Sequence, residues 1–225
     1  MIKKIVNLGF PSAMQMFFEV AIFTAAIWLS GLLGKNPQAA NQIALNLSSM
    51  TFMVAMGLSV AAMIRVGNQK GLRDFVELRR IALSIFLLGL SLAFVFALFF
   101  FAFHNHLPKI YVDLNDTVNF SDNKEVIAIA AKLLLASAVF QLSDSAQVIL
   151  LGALRGLQDV KIPTLITFVA YWLIGFPVSY ILGKAEVYGS VGIWIGLLLG
   201  LTSAAIMLYI RFNYLSKRLI SQETI

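Results

Sequence analysis

Residues 81–103 read IALSIFLLGLSLAFVFALFFFAF and carry no charged side chain. A helix needs roughly 20 apolar residues to cross the ~30 Å hydrocarbon layer of a bilayer, and this run is long enough. Because lipid offers no hydrogen-bond partner, a single segment that crosses it must satisfy its backbone groups within itself, as a helix does. The run therefore predicts a transmembrane helix.

Five further apolar runs of similar length surround this one. They are residues 5–33, 37–64, 126–154, 162–182 and 187–210. With residues 81–103 they make six predicted spans, separated by short polar segments. We therefore expect an all-α polytopic membrane protein in which residues 1–225 form a single six-helix transmembrane lobe.

The composition agrees with a protein that uses lipid as its solvent. Hydrophobic residues make up 60% of the chain and charged residues only 12%, whereas soluble domains carry about 25% charged residues. Cysteine is absent, which excludes disulfides, Cys-ligated metal centres and a Cys nucleophile. No nucleophile–base pair or His-rich metal motif lies inside a predicted span. We expect a protein that contacts membrane lipid, is no enzyme and needs no cofactor.

Basic residues are distributed unevenly between alternate loops. Twelve of the 17 Lys and Arg residues, Arg73 and Arg155 among them, fall on one side of the predicted topology, and five fall on the other. Cytoplasmic loops are the ones enriched in Lys and Arg. We expect a multi-pass protein of the cell inner (plasma) membrane with both termini in the cytoplasm. The net charge of +6 follows from this topology, so nucleic acid is not an expected partner.

Two aromatic residues are placed near the predicted outer ends of their spans. Trp28 and Trp194 are the kind of side chain that lies in the headgroup region of a membrane. We expect both to face the lipid interface.

The last two spans carry local signals for bending and close packing. Pro177 lies inside residues 162–182, where a kink is expected because proline lacks a backbone N–H. Gly192, Gly196, Gly200 and Ala204 recur every fourth residue, which predicts a ridge that another helix approaches closely.

The loop between residues 103 and 126 contains a group that could be drawn as a metal site. Its candidate ligands are His104, His106, Asp113, Asp116 and Asp122. A His-x-His pair in a solvated loop lacks the supporting contacts that fix a coordination shell. We therefore expect no metal there.

Glu19 and Asp144 are the acidic residues that fall deep within predicted spans. An ionisable group at that depth costs at least ~2.5 kcal/mol, so such residues usually face a cavity and indicate an ion or proton pathway. A structural alternative is a protonated carboxyl bonded to a neighbouring helix, or a pair with Lys132. Lys132 precedes Asp144 by roughly 18 Å along a helix, which disfavours the pair.

Other polar side chains share a helical face with these carboxyls. The three sets are Ser12, Gln15 and Glu19; Gln42, Asn46 and Ser49; and Ser137, Gln141, Asp144 and Gln147. A single Ser, Asn or Gln in a membrane helix more often joins helices, at about 0.6 kcal/mol, than binds a ligand. Their concentration on three spans predicts a shared polar cavity lined by Gln15, Gln42, Asn46, Gln141 and Gln147.

At these positions the sequence resembles the multidrug and toxic compound extrusion (MATE) family, in its NorM-like branch. The matching segments are Phe10-Pro11-Ser12 with Phe17-Phe18-Glu19, Gln42-Ile43-Ala44-Leu45-Asn46 with Arg65-Val66-Gly67-Asn68, and Gln141-Leu142-Ser143-Asp144 with Gly152-Ala153-Leu154-Arg155-Gly156 and Asp159. They resemble the family's seventh helix, its eighth helix with the following turn, and its tenth helix with the following loop. The resemblance is thus to the C-terminal lobe of a twelve-helix transporter.

The resemblance implies a function and a site. Members are secondary active multidrug efflux antiporters that export cationic amphipathic compounds in exchange for protons or sodium through a cleft between two six-helix lobes. Acidic residues of the seventh and tenth helices are implicated in cation binding, and Glu19 and Asp144 match them. Phe140, which we also expect to line the cavity, stands where sodium-binding relatives often have tyrosine. It offers a ring face but no oxygen, which favours protons.

The resemblance also implies a partner and leaves alternatives open. An N-terminal six-helix lobe is expected, either in the same longer chain or as a separate subunit. A lipid-linked oligosaccharide flippase of related fold would have a more basic cavity. A non-transporting membrane scaffold or truncated half-transporter would have no reason to retain Glu19 and Asp144.

The loop charges generate a test of topology. In Arg73→Cys, the single thiol should react with a membrane-impermeant reagent in inverted vesicles but not in intact cells, because its loop is expected in the cytoplasm. The chain has no native cysteine to confuse the measurement. Labelling from outside intact cells would show that the orientation is the opposite of the one expected.

Overall fold

The computed structural model describes residues 2–112, 119–184 and 188–223, which are almost entirely helical. Seven α-helices follow one another along these ranges: α1 Ile2–Leu32, α2 Lys35–Leu72, α3 Phe75–Phe103, α4 Phe120–Gly156, α5 Lys161–Phe168, α6 Phe176–Leu182 and α7 Ser190–Glu223. A short 3₁₀ helix, Leu107–Ile110, follows α3, and a π-helical segment, Val169–Gly175, joins α5 to α6 without a break.

Six helices are long and apolar enough to cross a membrane, with α5, the π-helical segment and α6 counted as one, Lys161–Leu182. The all-α, six-span fold expected from the sequence is therefore confirmed. Two helices run well past the predicted spans, since α2 ends at Leu72 and α7 at Glu223. A helix can continue beyond the hydrocarbon layer with polar residues. The apolar run in the sequence is therefore shorter than the helix. The predicted first residue of the last span, Val187, lies outside the described residues.

Helix α4 is the centre of the lobe. It packs most extensively against α2 and also against α7 and α3. Of its apolar window 50% is buried, against 17% for α3, although α3 has the higher mean hydropathy, 2.7 against 2.0. The most apolar helix thus lies on the outside with side chains such as Leu87, Leu88 and Val95 exposed. That arrangement is expected where the surrounding solvent is lipid.

The glycine ridge of α7 packs against α6 and the π-helical segment. A Cβ built on Gly196 would lie 2.3 Å from the Ser179 backbone nitrogen, and one on Gly200 would lie 3.1 Å from the Gly175 Cα. The hydroxyl of Ser179 donates to the Ile193 carbonyl at 3.0 Å. The close approach predicted from the small-residue spacing is confirmed.

The π-helical segment ends just before Pro177. Pro177 has no N–H to donate, and its ring crowds the carbonyl four residues earlier, at Leu173. A π-turn widens the helix locally and relieves that crowding. The same segment carries Tyr171, which is buried in the core cluster that also contains residues of α1, α4 and α7.

The structure corrects the prediction for Trp194. Trp28 is 61% exposed, as an interfacial residue should be, but Trp194 is only 1% exposed. Its Nε1 donates to Asn41 Oδ1 at 2.9 Å, and its ring meets Phe140 edge-on at 5.3 Å. The prediction used depth along the helix alone, whereas α7 is covered by other helices at this level. Trp194 is therefore part of the core.

Charged residues connect the helix ends. Lys35 Nζ lies 2.5 Å from Asp122 Oδ2, which ties the start of α2 to the start of α4. At the opposite end, Arg211 Nε lies 2.8 Å from Asp159 Oδ2 and links α7 to the turn after α4. One of these ion pairs thus lies at each polar end of the helices.

The loop candidates for a metal site are only partly described. His104 Nδ1 lies 2.8 Å from the Phe101 carbonyl oxygen, and Asp122 contacts Lys35 and Asn36. Asp113 and Asp116 lie outside the described residues. Within the part of the chain that the structure describes, no three His, Cys, Asp or Glu residues are close enough to hold a metal ion.

The close packing of α7 predicts a large effect from one methyl group. Gly196→Ala should destabilise the lobe by about 1–3 kcal/mol, because the added Cβ would overlap the Ser179 backbone. Gly57→Ala is the matched control, since a Cβ there has no heavy atom within 4 Å. The midpoint of thermal unfolding in detergent, followed by tryptophan fluorescence, compares the two. Equal unfolding midpoints for the two variants would contradict the close packing of the α7 glycines against α6.

Candidate functional site

A cavity of about 380 Å³ opens between α1, α2 and α4. These are the three helices whose polar faces the sequence predicts to converge. The wall is largely apolar, and its apolar side chains include Val20, Phe23, Ile27, Leu45, Phe52 and Met56. A few polar groups interrupt it, as is typical of a pocket that holds an amphipathic small molecule.

Glu19 lies on the α1 side of this cavity. Its Oε2 accepts a hydrogen bond from Gln15 Nε2 at 3.2 Å. The two residues are four apart on one helix, so their side chains are neighbours on the same face. The second oxygen, Oε1, is buried without a hydrogen-bond partner.

Asp144 lies on the α4 side of the same cavity. It is 5% exposed, and its Oδ1 has no hydrogen-bond partner. Lys132, the cation considered as its partner, is exposed elsewhere on α4. Glu19 and Asp144 are near enough to interact electrostatically. The structure thus brings the two predicted carboxyls to one site.

The predicted cavity residues divide into two groups. Gln15, Gln42, Asn46 and Phe140 line the cavity, whereas Gln141 and Gln147 do not. Each of these two glutamines is three residues from Asp144, which turns it about 60° around the helix to one side or the other. Both are buried with amide groups that lack hydrogen-bond partners. They lie beside the wall rather than on it.

Gln147 remains close to the site. Its side chain lies near the Glu19 carboxyl, but its amide makes no hydrogen bond within 3.5 Å. The ring of Phe140 is held edge-on between Phe23 and Trp194 at centroid distances of 6.0 and 5.3 Å. Its position is therefore determined by aromatic packing.

Arg155 is a cavity residue that the sequence reasoning missed. The topology prediction places it in a cytoplasmic loop, but it lies in the last turn of α4 and lines the cavity. Its guanidinium donates to Gln15 Oε1 on α1. The available signal was spacing, because Arg155 follows Asp144 by three helical turns and so shares its face.

Tyr171 is a second group that sequence reasoning missed. It is 1% exposed, and its hydroxyl has no hydrogen-bond partner. It interacts electrostatically with both Glu19 and Asp144. The structure therefore supplies near the carboxyls an aromatic hydroxyl that Phe140 lacks. No sequence spacing could have shown this, because Tyr171 lies on a different helix.

Comparison with known proteins identifies the family. A family profile described as MatE matches residues 11–181. The chain belongs to the MatE family. The resemblance drawn from the sequence is thereby confirmed, and members of this family are transporters rather than enzymes.

Individual relatives agree with this assignment. The chain is 41% identical over 221 residues to a multidrug resistance protein MdtK of Proteus mirabilis, and 41% identical over 220 residues to that of Yersinia enterocolitica. Each alignment covers 96% of this chain and 46% of the relative. The chain thus spans about half the length of the curated relatives that it matches.

The fold agrees with solved structures of the family. A crystal structure of MATE in the bent conformation superposes with a TM-score of 0.87 at 16% identity. The match covers 100% of this chain and 48% of the solved one. The six-helix bundle therefore corresponds to one lobe of a MATE transporter.

A wet cavity between lipid-facing helices predicts a pattern of chemical labelling. Asn46→Cys should react quickly with a water-soluble methanethiosulfonate reagent, because its thiol would ionise in cavity water. Gln141→Cys, which is buried, and Leu88→Cys, which is exposed on α3 outside the cavity, should react slowly. Reaction rates in membranes would be measured for all three. Equal rates for Asn46→Cys and Leu88→Cys would contradict a water-filled cavity.

Proposed function

We propose that this chain is the C-terminal lobe of a secondary active multidrug efflux antiporter, which exports cationic amphipathic compounds in exchange for protons or sodium. The observation that carries the proposal is the apolar cavity with two acidic side chains, Glu19 and Asp144. Each of them has a buried oxygen without a hydrogen-bond partner.

Unpartnered carboxyl oxygens favour the binding of positive charge. A buried polar group without a partner is costly, and a buried charge more so. Protonation of a carboxyl or binding of a cation removes that cost. The site therefore has a physical reason to take up a proton, a sodium ion or the charged group of a substrate.

The wall accounts for the amphipathic part of the proposed substrate. Aromatic and thioether side chains such as Phe23, Phe52 and Met56 offer an adaptable apolar surface. The coupling ion and the substrate would compete for the same carboxyls in different conformations, which gives alternating access. The concentration gradient of the coupling ion would drive the exchange, and each tenfold step in that gradient supplies about 1.4 kcal/mol.

Both coupling ions fit the proposal. Phe140 supplies no oxygen, which favours protons. Tyr171 is buried near the two carboxyls but not on the cavity wall, and its hydroxyl offers an oxygen, which is the ligand that hard cations such as sodium prefer. An experiment with separate proton and sodium gradients distinguishes them.

The lobe needs a partner to enclose its cavity. The chain spans 46% of its curated relatives, and exposed apolar side chains such as Phe17, Val20, Met50 and Met53 lie on α1 and α2, which form the cavity. An N-terminal six-helix lobe would cover this face. We further propose a location in the cell inner membrane with both termini in the cytoplasm, on the basis of the uneven loop charges.

Two other functions are less well supported. The cavity wall holds one guanidinium and two carboxyls, so it lacks the basic excess expected of a lipid-linked oligosaccharide flippase. A non-transporting scaffold would gain nothing from burying two carboxyls that each leave one oxygen without a hydrogen-bond partner. Membership of the MatE family also favours transport.

Amide substitutions test the proposed carboxyls. In the complete transporter, the double variant Glu19→Gln, Asp144→Asn keeps the size of both side chains and removes their charge. If the carboxyls only joined helices, the amides would substitute at a cost of no more than about 1 kcal/mol. We expect normal membrane expression and loss of gradient-driven exchange. Efflux of a fluorescent cationic dye from vesicles, under a proton or a sodium gradient, is the measurement.

Glu77→Gln is the matched control. Glu77 lies in the first turn of α3, away from the cavity wall, and loosely faces Arg80 at 3.7 Å. This variant should transport normally. Near-normal efflux by the double amide variant would refute the proposed function, and efflux driven by a sodium jump at constant pH would select sodium over protons.

A further inference from the structure

Three polar side chains form a relay across the cavity. The Arg155 guanidinium on α4 donates to Gln15 Oε1 on α1, and Gln15 Nε2 donates to Glu19 Oε2 at 3.2 Å. The Gln15 amide thus accepts a hydrogen bond from the guanidinium through its oxygen and donates one to the carboxylate through its nitrogen. The relay links the end of α4 to the proposed coupling carboxyl.

Arg155 is held near Glu19 without pairing with it. Both residues are fully described, and no ion pair within 4.0 Å joins them. They nevertheless interact electrostatically. Arg155 Nε and Glu19 Oε1 are both buried without hydrogen-bond partners, so each group keeps a free position.

The charges around the cavity balance when one more positive charge is added. Among the described residues that line the wall, Glu19 and Asp144 are acidic and Arg155 is basic. With both carboxyls ionised, these three groups leave one net negative charge. The approach of a single monovalent cation, or of one proton, neutralises the set.

We propose that Arg155 is a tethered counter-cation that competes with the transported cation for Glu19. The inference rests on the proposed function and adds a residue that determines affinity. In the empty site Arg155 partly compensates Glu19 through Gln15. An arriving cation is opposed by the guanidinium, which lowers its affinity and helps its release. The fixed charge of the Arg155 guanidinium also limits the site to one monovalent cation at a time.

A purely structural role for Arg155 predicts a different result. A basic residue in the last turn of a helix often stabilises the free carbonyls at that end. Here the guanidinium reaches across to α1 instead. Loss of a structural contact would loosen the cavity and weaken cation binding, whereas loss of a competing charge should strengthen it.

The experiment measures equilibrium binding of tetraphenylphosphonium, a permanent lipophilic cation, to the complete transporter in lipid nanodiscs at fixed pH. In Arg155→Gln, we expect the Kd to fall at least about tenfold, since unit charges a few ångströms apart at a protein site interact by more than the ~1.4 kcal/mol that tenfold represents. Arg155→Lys should bind as the wild type does, because it keeps the charge.

Two further variants make the result specific. Arg79→Gln removes an arginine at the same end of the lobe, where its guanidinium bonds Ser216 Oγ at 2.7 Å, and should leave the Kd unchanged. In a double-mutant cycle, the gain from Arg155→Gln should largely disappear when Glu19 is already Gln. Arg155→Met, which keeps the apolar stem, replaces Arg155→Gln if that variant does not purify as a single species.

The outcomes separate the inference from the proposed function. Unchanged or weaker binding by Arg155→Gln, with binding still dependent on Glu19, would overturn the counter-cation role alone. Binding that persists unchanged in the Glu19→Gln, Asp144→Asn variant would instead overturn the proposed function. Tighter binding by Arg155→Gln together with loss of that gain in the Glu19→Gln background supports both.

Discussion

Lipid offers a polar side chain no hydrogen-bond partner, and most features of this lobe follow from that constraint. Helix α3 has the highest mean hydropathy and faces outward. Helices α1, α2 and α4 carry the polar side chains and turn them toward a shared cavity. Glu19 and Asp144 are tolerated at this depth because they line that space rather than face hydrocarbon.

Close packing in lipid depends on shape, since apolar contact between helices gains little over contact with acyl chains. The lobe meets this condition with small residues at two interfaces. Gly196 and Gly200 of α7 allow the backbone of the α6 region to approach, and Gly152 of α4 admits the Ser59 carbonyl of α2. Ser59 also donates to the Val148 carbonyl at 2.7 Å. These close helix contacts hold α4 and α7 in fixed positions.

The cavity joins rigid and adaptable parts. Phe140 is fixed by the rings around it, and α4 is fixed by its glycine contacts. Helix α1 is less buried, with 22% of its apolar window covered, and it carries Gln15 and Glu19. Its contact with α4 at this level includes the hydrogen bond from Arg155. A change of charge at Glu19 would therefore act on a helix that is held partly by polar contacts, which agrees with the proposed function.

The sequence by itself determined the six spans, the all-helical class, the close approach along the α7 glycines and the faces that carry Glu19 and Asp144. These properties depend on hydropathy and on helical period, both of which are local. Only the tertiary structure decided that Trp194 is buried against Asn41 and that Gln141 and Gln147 lie beside the cavity wall. It also decided that Arg155 donates to Gln15 on α1 and that Tyr171 lies near the carboxyls. Those facts depend on which helices are neighbours, and contacts between residues far apart in the chain leave no periodic trace in it.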